Sequence, residues 1–277
     1  MKIFIIIISF LFVGITKNYA QPNNYWSMGS NTEASILAGA VVGGGSGITS
    51  IFYNPAGISE LENNIISIDA SLFNFDSYRY SNTFNAHSEL SFLDYKVLPR
   101  FFSFVIHPKA KPKLSIQFAV FSRGASLVKL FDFTQQEVIE PVTNINKLYS
   151  VKFDYENRYS DYWFGFGSSY KLNDHLVIGV SLLGSAKGFT YFRTTNIDLI
   201  NINDSLSSSN SNWSSYDRQD SYVVSIISKI GLVYKQNSWS FGANLTFPSM
   251  RLYGDGYHRR EINMTNIYDN GVLMPDI

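Results

Sequence analysis

Apolar and polar residues alternate with a period of two along most of the chain after residue 65. The pattern is clearest in residues 239–247, where serine, glycine, asparagine and threonine separate the apolar positions Trp239, Phe241, Ala243, Leu245 and Phe247. Successive side chains of a β-strand point to opposite faces, so this alternation predicts strands with one apolar face and one small or polar face. The sequence therefore predicts an all-β fold.

The same alternation and the turn signals between segments predict about seven strands. They cover residues 65–80, 97–107, 114–123, 157–171, 176–193, 221–235 and 239–253. The connections are predicted to alternate between long (81–96, 124–156, 194–220, 254–277) and short (108–113, 173–174, 236–238). Outer-membrane barrels have short periplasmic turns and long external loops. The alternation of long and short connections predicts an antiparallel transmembrane β-barrel whose N-terminus is periplasmic.

Composition agrees with an apolar surface outside the barrel. The chain has 22 Phe, 18 Tyr and 4 Trp, and charged residues make up 16%, compared with ~25% in an ordinary soluble domain. Aromatic residues near strand ends are predicted to form two interfacial girdles: Tyr78, Tyr80, Tyr191, Tyr222, Tyr234, Trp239 and Tyr253. A β-sandwich with an aromatic core is the alternative.

The N-terminus predicts export. Lys2 precedes an apolar run over residues 3–15, and Ala20 precedes a polar segment, which is the layout of a signal peptide. Residues 1–20 are therefore predicted to be a signal peptide, and the bacterial outer membrane is the predicted location. An uncleaved N-terminal anchor is the alternative.

Residues 65–277 are predicted to be an incomplete barrel. Single-chain bacterial barrels have even strand numbers, and an open edge would leave backbone groups unpaired in hydrocarbon. We expect that further strands close the barrel; the alternative is closure by two or more chains.

Residues 21–64 lack the period of two and are predicted to form a small hatch segment that plugs the lumen. A glycine-rich loop over residues 41–47 leads to Ile51–Gly57, Ile-Phe-Tyr-Asn-Pro-Ala-Gly. Asn54 is a predicted helix N-cap and Pro55 a predicted first helical residue. The simpler reading is that Asn-Pro only initiates a turn.

Over about forty residues, this arrangement resembles the FadL-type outer-membrane transporters of long-chain fatty acids and other hydrophobic compounds. In that family an Asn-Pro-Ala motif belongs to a hatch inside a 14-stranded barrel. The resemblance maps the motif onto Asn54, Pro55 and Ala56. It implies that this chain contains about half of such a barrel.

The resemblance also implies a function, the passive uptake of hydrophobic small molecules such as long-chain fatty acids. Four residues are on the less lipid-like faces of their strands and are predicted to line an apolar pocket: Phe101, Trp163, Val177 and Leu183. Arg123, Lys187 and Lys229 are predicted to face inward and to meet a ligand carboxylate. The alternative for each cation is a solvated charge at a loop end or in the lumen. The predicted partners are thus a hydrophobic ligand and outer-membrane lipid.

Other activities find less support. The 22 basic and 22 acidic residues balance, and cysteine is absent, so the sequence predicts neither a nucleic-acid partner nor a cysteine-based metal or redox site. The four histidines lack metal-ligand spacing. We predict no cofactor, no metal and no catalytic residues. A barrel enzyme using His107 or His175 beside a serine stays open.

Two further functions fit the same pattern. A barrel of this kind also suits a protein-interaction component of a secretion system. An adhesin would bind through residues 124–156 and 194–220.

Overall fold

A computed structural model of the chain describes residues 34, 36–37, 39–81, 89–139, 144–202, 210–269 and 272–273. The predicted signal peptide, residues 1–20, lies outside the described residues, as does the beginning of the predicted hatch segment. No helix within the described ranges is long and apolar enough to cross a membrane.

The described chain is dominated by one antiparallel sheet of eight strands, which confirms the all-β prediction. The strands are β1 (Ile65–Ser81), β2 (Glu89–Ile106), β3 (Leu114–Ile139), β4 (Asn146–Lys171), β5 (Leu176–Asn201), β6 (Ser211–Gln236), β7 (Trp239–Thr246) and β8 (Met250–Thr265). A separate small hairpin pairs β9 (Tyr268–Asp269) with β10 (Val272–Leu273).

Sequence neighbours pair with one another from β1 to β7, and β8 also pairs with β6. β7 is bonded to residues 229–236 of β6 and β8 to residues 212–226. Among the described strands the sheet is therefore open, with β1 at one edge and β7 and β8 at the other.

The predicted strand 239–253 is interrupted. β7 ends at Thr246 and β8 begins at Met250. Pro248 lies between them and has no backbone N–H to donate to a ladder. The segment predicted as the seventh strand consequently forms two strands, β7 and β8.

The predicted long connections were largely wrong. β3, β4, β5 and β6 each contain 26 residues, so most of 124–156 and 194–220 is strand, and β8 covers much of 254–277. Ser, Thr, Asn, Gln, Asp and Glu are frequent in these parts, which resembles a loop in sequence. A ladder requires only that backbone groups pair, and β4, β5 and β6 pair without a register shift.

The sheet has two faces of different character. The face in contact with the hatch segment, called the inner face, contains the buried Phe101, Ser103 and Val105 of β2. The opposite face, called the outer face, contains the exposed Phe102 and Phe104. The same alternation of buried and exposed side chains continues through β3 to β6.

The hatch segment lies on the inner face. It forms a 3-10 turn (Gly47–Thr49), one turn of α-helix (Ser50–Tyr53) and a 3-10 helix (Pro55–Glu60). Ile51 and Ile58 of this segment pack with side chains of β2 to β6 in the main apolar core. The core of the described chain is thus the junction of the hatch segment with the sheet.

Candidate functional site

Asn54 joins three parts of the molecule. Its Oδ1 accepts a hydrogen bond from the Ala56 backbone N–H at 3.1 Å and caps the Pro55–Glu60 helix, as predicted. Its Nδ2 donates to the carbonyl oxygen of Val42 at 2.8 Å and to that of Leu232 in β6 at 3.0 Å. The Asn-Pro-Ala motif is therefore bonded to its own loop and to the sheet.

Glycines on adjacent strands make room for this motif. Gly179 of β5 pairs with Gly231 of β6. A Cβ on Gly231 would overlap Asn54, and one on Gly179 would overlap the backbone of Pro55 and Ala56. The motif consequently lies directly on the sheet backbone, which only glycine permits at this distance.

Polar side chains of the sheet hold the rest of the hatch segment. Asn244 Nδ2 of β7 donates to the Tyr53 carbonyl oxygen at 2.6 Å. Lys235 Nζ of β6 lies 2.9 Å from Glu60 Oε1. Lys229 Nζ donates to the Phe52 carbonyl oxygen. Most of these bonds end on backbone carbonyls, so they fix the path of the hatch segment rather than its side chains.

An aromatic cluster lies beside the hatch segment on the inner face. The Phe52 ring contacts Phe121 and Trp163 edge to face, with centroid distances of 5.5 and 5.7 Å. Phe101 stacks on Phe121 at 5.3 Å. Edge-to-face and offset-stacked pairs are the favoured arrangements of aromatic rings. We call Phe52, Phe101, Phe121 and Trp163, together with the charged residues below, the inner cluster.

Charged groups line one side of these rings. Asp161, which is 2% exposed, accepts hydrogen bonds from Trp163 Nε1 at 2.8 Å and Ser185 Oγ at 3.0 Å. Arg123 Nη1 lies 3.8 Å from Asp161 Oδ2, and its guanidinium is 4.7 Å from the Trp163 ring centroid. Lys229 Nζ is 4.5 Å from the Phe52 ring centroid. Two cations and one carboxylate are thus in contact with the same aromatic surface.

The structure brings together four of the residues predicted to line the pocket or to meet a ligand carboxylate. Phe101, Arg123, Trp163 and Lys229 belong to the inner cluster, and Lys187 is opposite Asp161 in the β4–β5 ladder. Sequence reasoning missed Asp161, Phe52 and Phe121. The signal for Asp161 was its position two residues before Trp163, on the same face of a strand.

The outer face has an apolar band at the level of the hatch segment. On β4 it extends from Tyr162 through Phe164 and Phe166 to Tyr170, and all four side chains are exposed. This stretch is about 26 Å long at ~3.3 Å per residue. Tyr222, Trp239 and Tyr253, which were predicted to belong to the girdles, are exposed on the outer face near the limits of the band. Tyr191 is instead opposite Asn157 on the inner face, so its predicted place in a girdle is wrong.

A pocket of about 280 Å³ lies on the outer face next to this band. Arg158, Ser160, Thr190, Tyr222, Asp255 and Tyr257 are among its lining residues. None of the residues predicted to bind a ligand contributes to it. We call it the outer pocket.

The serine–histidine contact considered from sequence is present at His107. The His107 Nδ1 atom is 3.0 Å from Ser115 Oγ, but Ser115 is buried on the inner face of the sheet. A buried hydroxyl is poorly placed to attack a substrate, so the contact favours a structural role. Within the part of the chain that the structure describes, no group of three or more His, Cys, Asp or Glu side chains is suited to hold a metal ion.

Comparison with known proteins adds no assignment. No protein-family model matches the chain, and a search of curated proteins finds no significant match.

Proposed function

We propose that the sheet spans the bacterial outer membrane and that the protein mediates passive uptake of hydrophobic small molecules. The membrane placement is supported by the outer face. A band of exposed Phe, Tyr, Val, Leu and Ile crosses β2 to β7 at one level. On β4 it covers residues 162–170, in keeping with the ~9–11 residues of a tilted transmembrane strand.

The open edges require completion in this setting. β1 and the β7–β8 edge would each expose unpaired N–H and C=O groups to hydrocarbon, and each such group costs several kcal/mol. A closed barrel removes both edges. We therefore propose that further strands pair with β1 and with β7 and β8.

The inner cluster carries the transport proposal. It combines aromatic rings with the Arg123 and Lys229 cations, directly beside the segment that would plug the lumen. A solute with an apolar chain and a carboxylate matches both parts, because rings favour the chain and cations favour the anion. A long-chain fatty acid is such a solute.

The hatch segment supplies the gate in this proposal. Its polar contacts with β6 and β7 come from a few side chains, namely Asn54, Lys229, Lys235, Ser240 and Asn244. A shift of the segment would break these bonds together and open a path past the inner cluster. Movement of a plug rather than a permanent aqueous pore suits a solute that avoids water.

Uptake of labelled long-chain fatty acid by cells tests this function. The complete gene is expressed in a strain that lacks similar barrels, and uptake is compared with that of the empty strain. Restored uptake supports the proposal. Absence of uptake from cells with confirmed outer-membrane insertion would overturn fatty acid as the solute class.

A protein-interaction role is the second candidate, and one observation favours it. Beyond the apolar band, β3 exposes Phe131 and Phe133, which are 62% and 53% exposed. Exposed aromatic residues are typical of protein contact sites. A partner protein recovered with the wild type and lost in Phe131→Ser would support this role.

A further inference from the structure

The outer pocket is formed by two neighbouring rows of side chains on the outer face. One row runs across the strands from Ser160 through Gly188 and Tyr222 to Asp255. The next row contains Arg158. Gly188 has no side chain and leaves the floor open, since a Cβ there would approach Ser160 Oγ to 3.0 Å. The pocket is therefore a built-in concavity of the sheet.

The charged side chains of the second row, Arg158 and Asp220, are paired with charges of the row beyond it. Asp220 Oδ2 accepts a hydrogen bond from Arg218 Nε at 2.7 Å, and Arg158 Nη2 is 2.8 Å from Glu156 Oε1. Asp220 lies beyond Tyr222, outside the apolar band. Hydrogen bonds from the Tyr257 hydroxyl and then from Arg218 lower the pKa of Asp220 to about 2. The Asp220 carboxylate therefore stays anionic and hydrogen-bonded to Arg218 and Tyr257.

The charges and polar groups of the pocket lining disfavour two kinds of ligand. A phosphate group calls for an excess of cations, whereas the pocket lining has one arginine and the two aspartates Asp220 and Asp255. A lipid chain would remove these polar groups from water without giving them partners.

A sugar ring fits the lining better. Its hydroxyl groups both donate and accept, and they find an arginine donor, an aspartate acceptor and the Ser160 and Thr190 hydroxyls. The exposed Tyr222 and Tyr257 offer an apolar ring with a polar tip. The volume is slightly below the ~300–1,000 Å³ range of ligand pockets, so it suits a single ring.

The pocket also lies at the level where a lipid headgroup would be. Tyr222 and Tyr253 mark the limit of the apolar band on β6 and β8, and Asp255 follows Tyr253 on the same face. We infer that the outer pocket binds the sugar headgroup of a membrane glycolipid on the side away from the 107–113 and 172–175 turns. This inference rests on the proposed membrane placement.

Lipid retention by the complete protein tests the inference. The protein is inserted into nanodiscs of phosphatidylethanolamine containing a minor share of monoglucosyl diacylglycerol, and the lipids that stay bound after extraction are measured by native mass spectrometry. We expect the glucolipid to be enriched over phosphatidylethanolamine. Free methyl glucoside should compete for it.

Two variants probe the pocket. Gly188→Val fills the floor and should lower glucolipid retention by about tenfold, a factor that corresponds to ~1.4 kcal/mol. Asp255→Asn should also lower it, because a carboxylate is the stronger acceptor for a hydroxyl group. The matched controls are Gly124→Val, whose Cβ has only an ordinary contact at 3.6 Å with Tyr159, and Asp132→Asn. Both should retain the glucolipid like the wild type.

The outcomes separate the two proposals. Equal retention in the wild type and Gly188→Val would overturn the pocket inference, and so would equal retention of diacylglycerol without sugar. Binding of free methyl glucoside without enrichment of the glucolipid would show that the pocket recognises a free sugar, and it would overturn the inference of a lipid headgroup. Failure to insert into nanodiscs would overturn both proposals, whereas insertion and fatty acid uptake without glucolipid retention would overturn the inference alone.

Discussion

Asn54 donates a hydrogen bond of 3.0 Å to the backbone carbonyl of Leu232, although the two residues are 178 positions apart. The same amide nitrogen donates to Val42, and the amide oxygen caps the helix that follows. One buried side chain thus fixes the loop, the helix and the sheet relative to one another.

Asn54→Ala is expected to loosen the hatch segment without unfolding the sheet. The change removes a cap worth about 1 kcal/mol and leaves the Val42 and Leu232 carbonyls without their amide donor. Fatty acid uptake should fall, while the amount of inserted protein stays normal. Pro55→Ala should act in the same direction, since proline fixes the first helical residue.

Asn263→Ala is the control for this change, because Asn263 is an exposed asparagine of β8. It should leave uptake unchanged. Normal uptake by both Asn54→Ala and Pro55→Ala would remove the hatch segment from the mechanism.

Gly231→Ala is expected to push the hatch segment away from the sheet. The added methyl group overlaps the Asn54 side chain, and overpacking of this kind costs about 1–3 kcal/mol. Limited proteolysis should cut residues 39–64 faster than in the wild type. Gly124→Ala, whose Cβ has ordinary space, should show the wild-type rate; equal rates for all three proteins would contradict the close contact.

Lys229→Met tests the cation of the inner cluster. The substitution keeps most of the length of the side chain but removes the charge beside the Phe52 ring and the hydrogen bond to the Phe52 carbonyl. Binding of a long-chain fatty acid should weaken by about tenfold, in keeping with the loss of a charge-assisted bond. Binding of the alcohol of the same chain length should change much less, and an equal loss for both ligands would argue against carboxylate recognition.

Phe166→Arg tests which part of the outer face contacts lipid. Phe166 lies in the apolar band and is 64% exposed, whereas Phe133 lies beyond the band and is 53% exposed. An arginine in the centre of a bilayer costs about 2–4 kcal/mol, so Phe166→Arg should reduce membrane insertion. Phe133→Arg should insert normally. Similar insertion of both variants would contradict the placement of the band.

Much of the sheet was predictable because period two assigns each side chain to a face. Lys229 was predicted to face inward, and it is buried on the inner face. The Asn54 cap was also predictable, since asparagine before proline has a specific role at a helix start.

The strand extensions and the inner cluster were only partly predictable. Residues 194–201 and 211–220 are rich in Ser, Thr, Asn and Asp, which favours a loop in sequence. Their pairing as strands depends on partners far along the chain. Asp161 reads as a surface residue in sequence. Its burial depends on Ser185 and Arg123, which belong to neighbouring strands.

The attachment of the hatch segment to β7 has a consequence for the order of folding. The Tyr53 carbonyl meets Asn244 across 191 residues, and the Gly43 carbonyl meets Ser240 across 197. Contacts of such long separation form late, because the intervening chain must first lose its freedom. The hatch segment is synthesised before every strand it contacts, yet it can dock fully only after β7 has joined the sheet. Its apolar residues must therefore stay unassembled longer than those of any strand that it contacts.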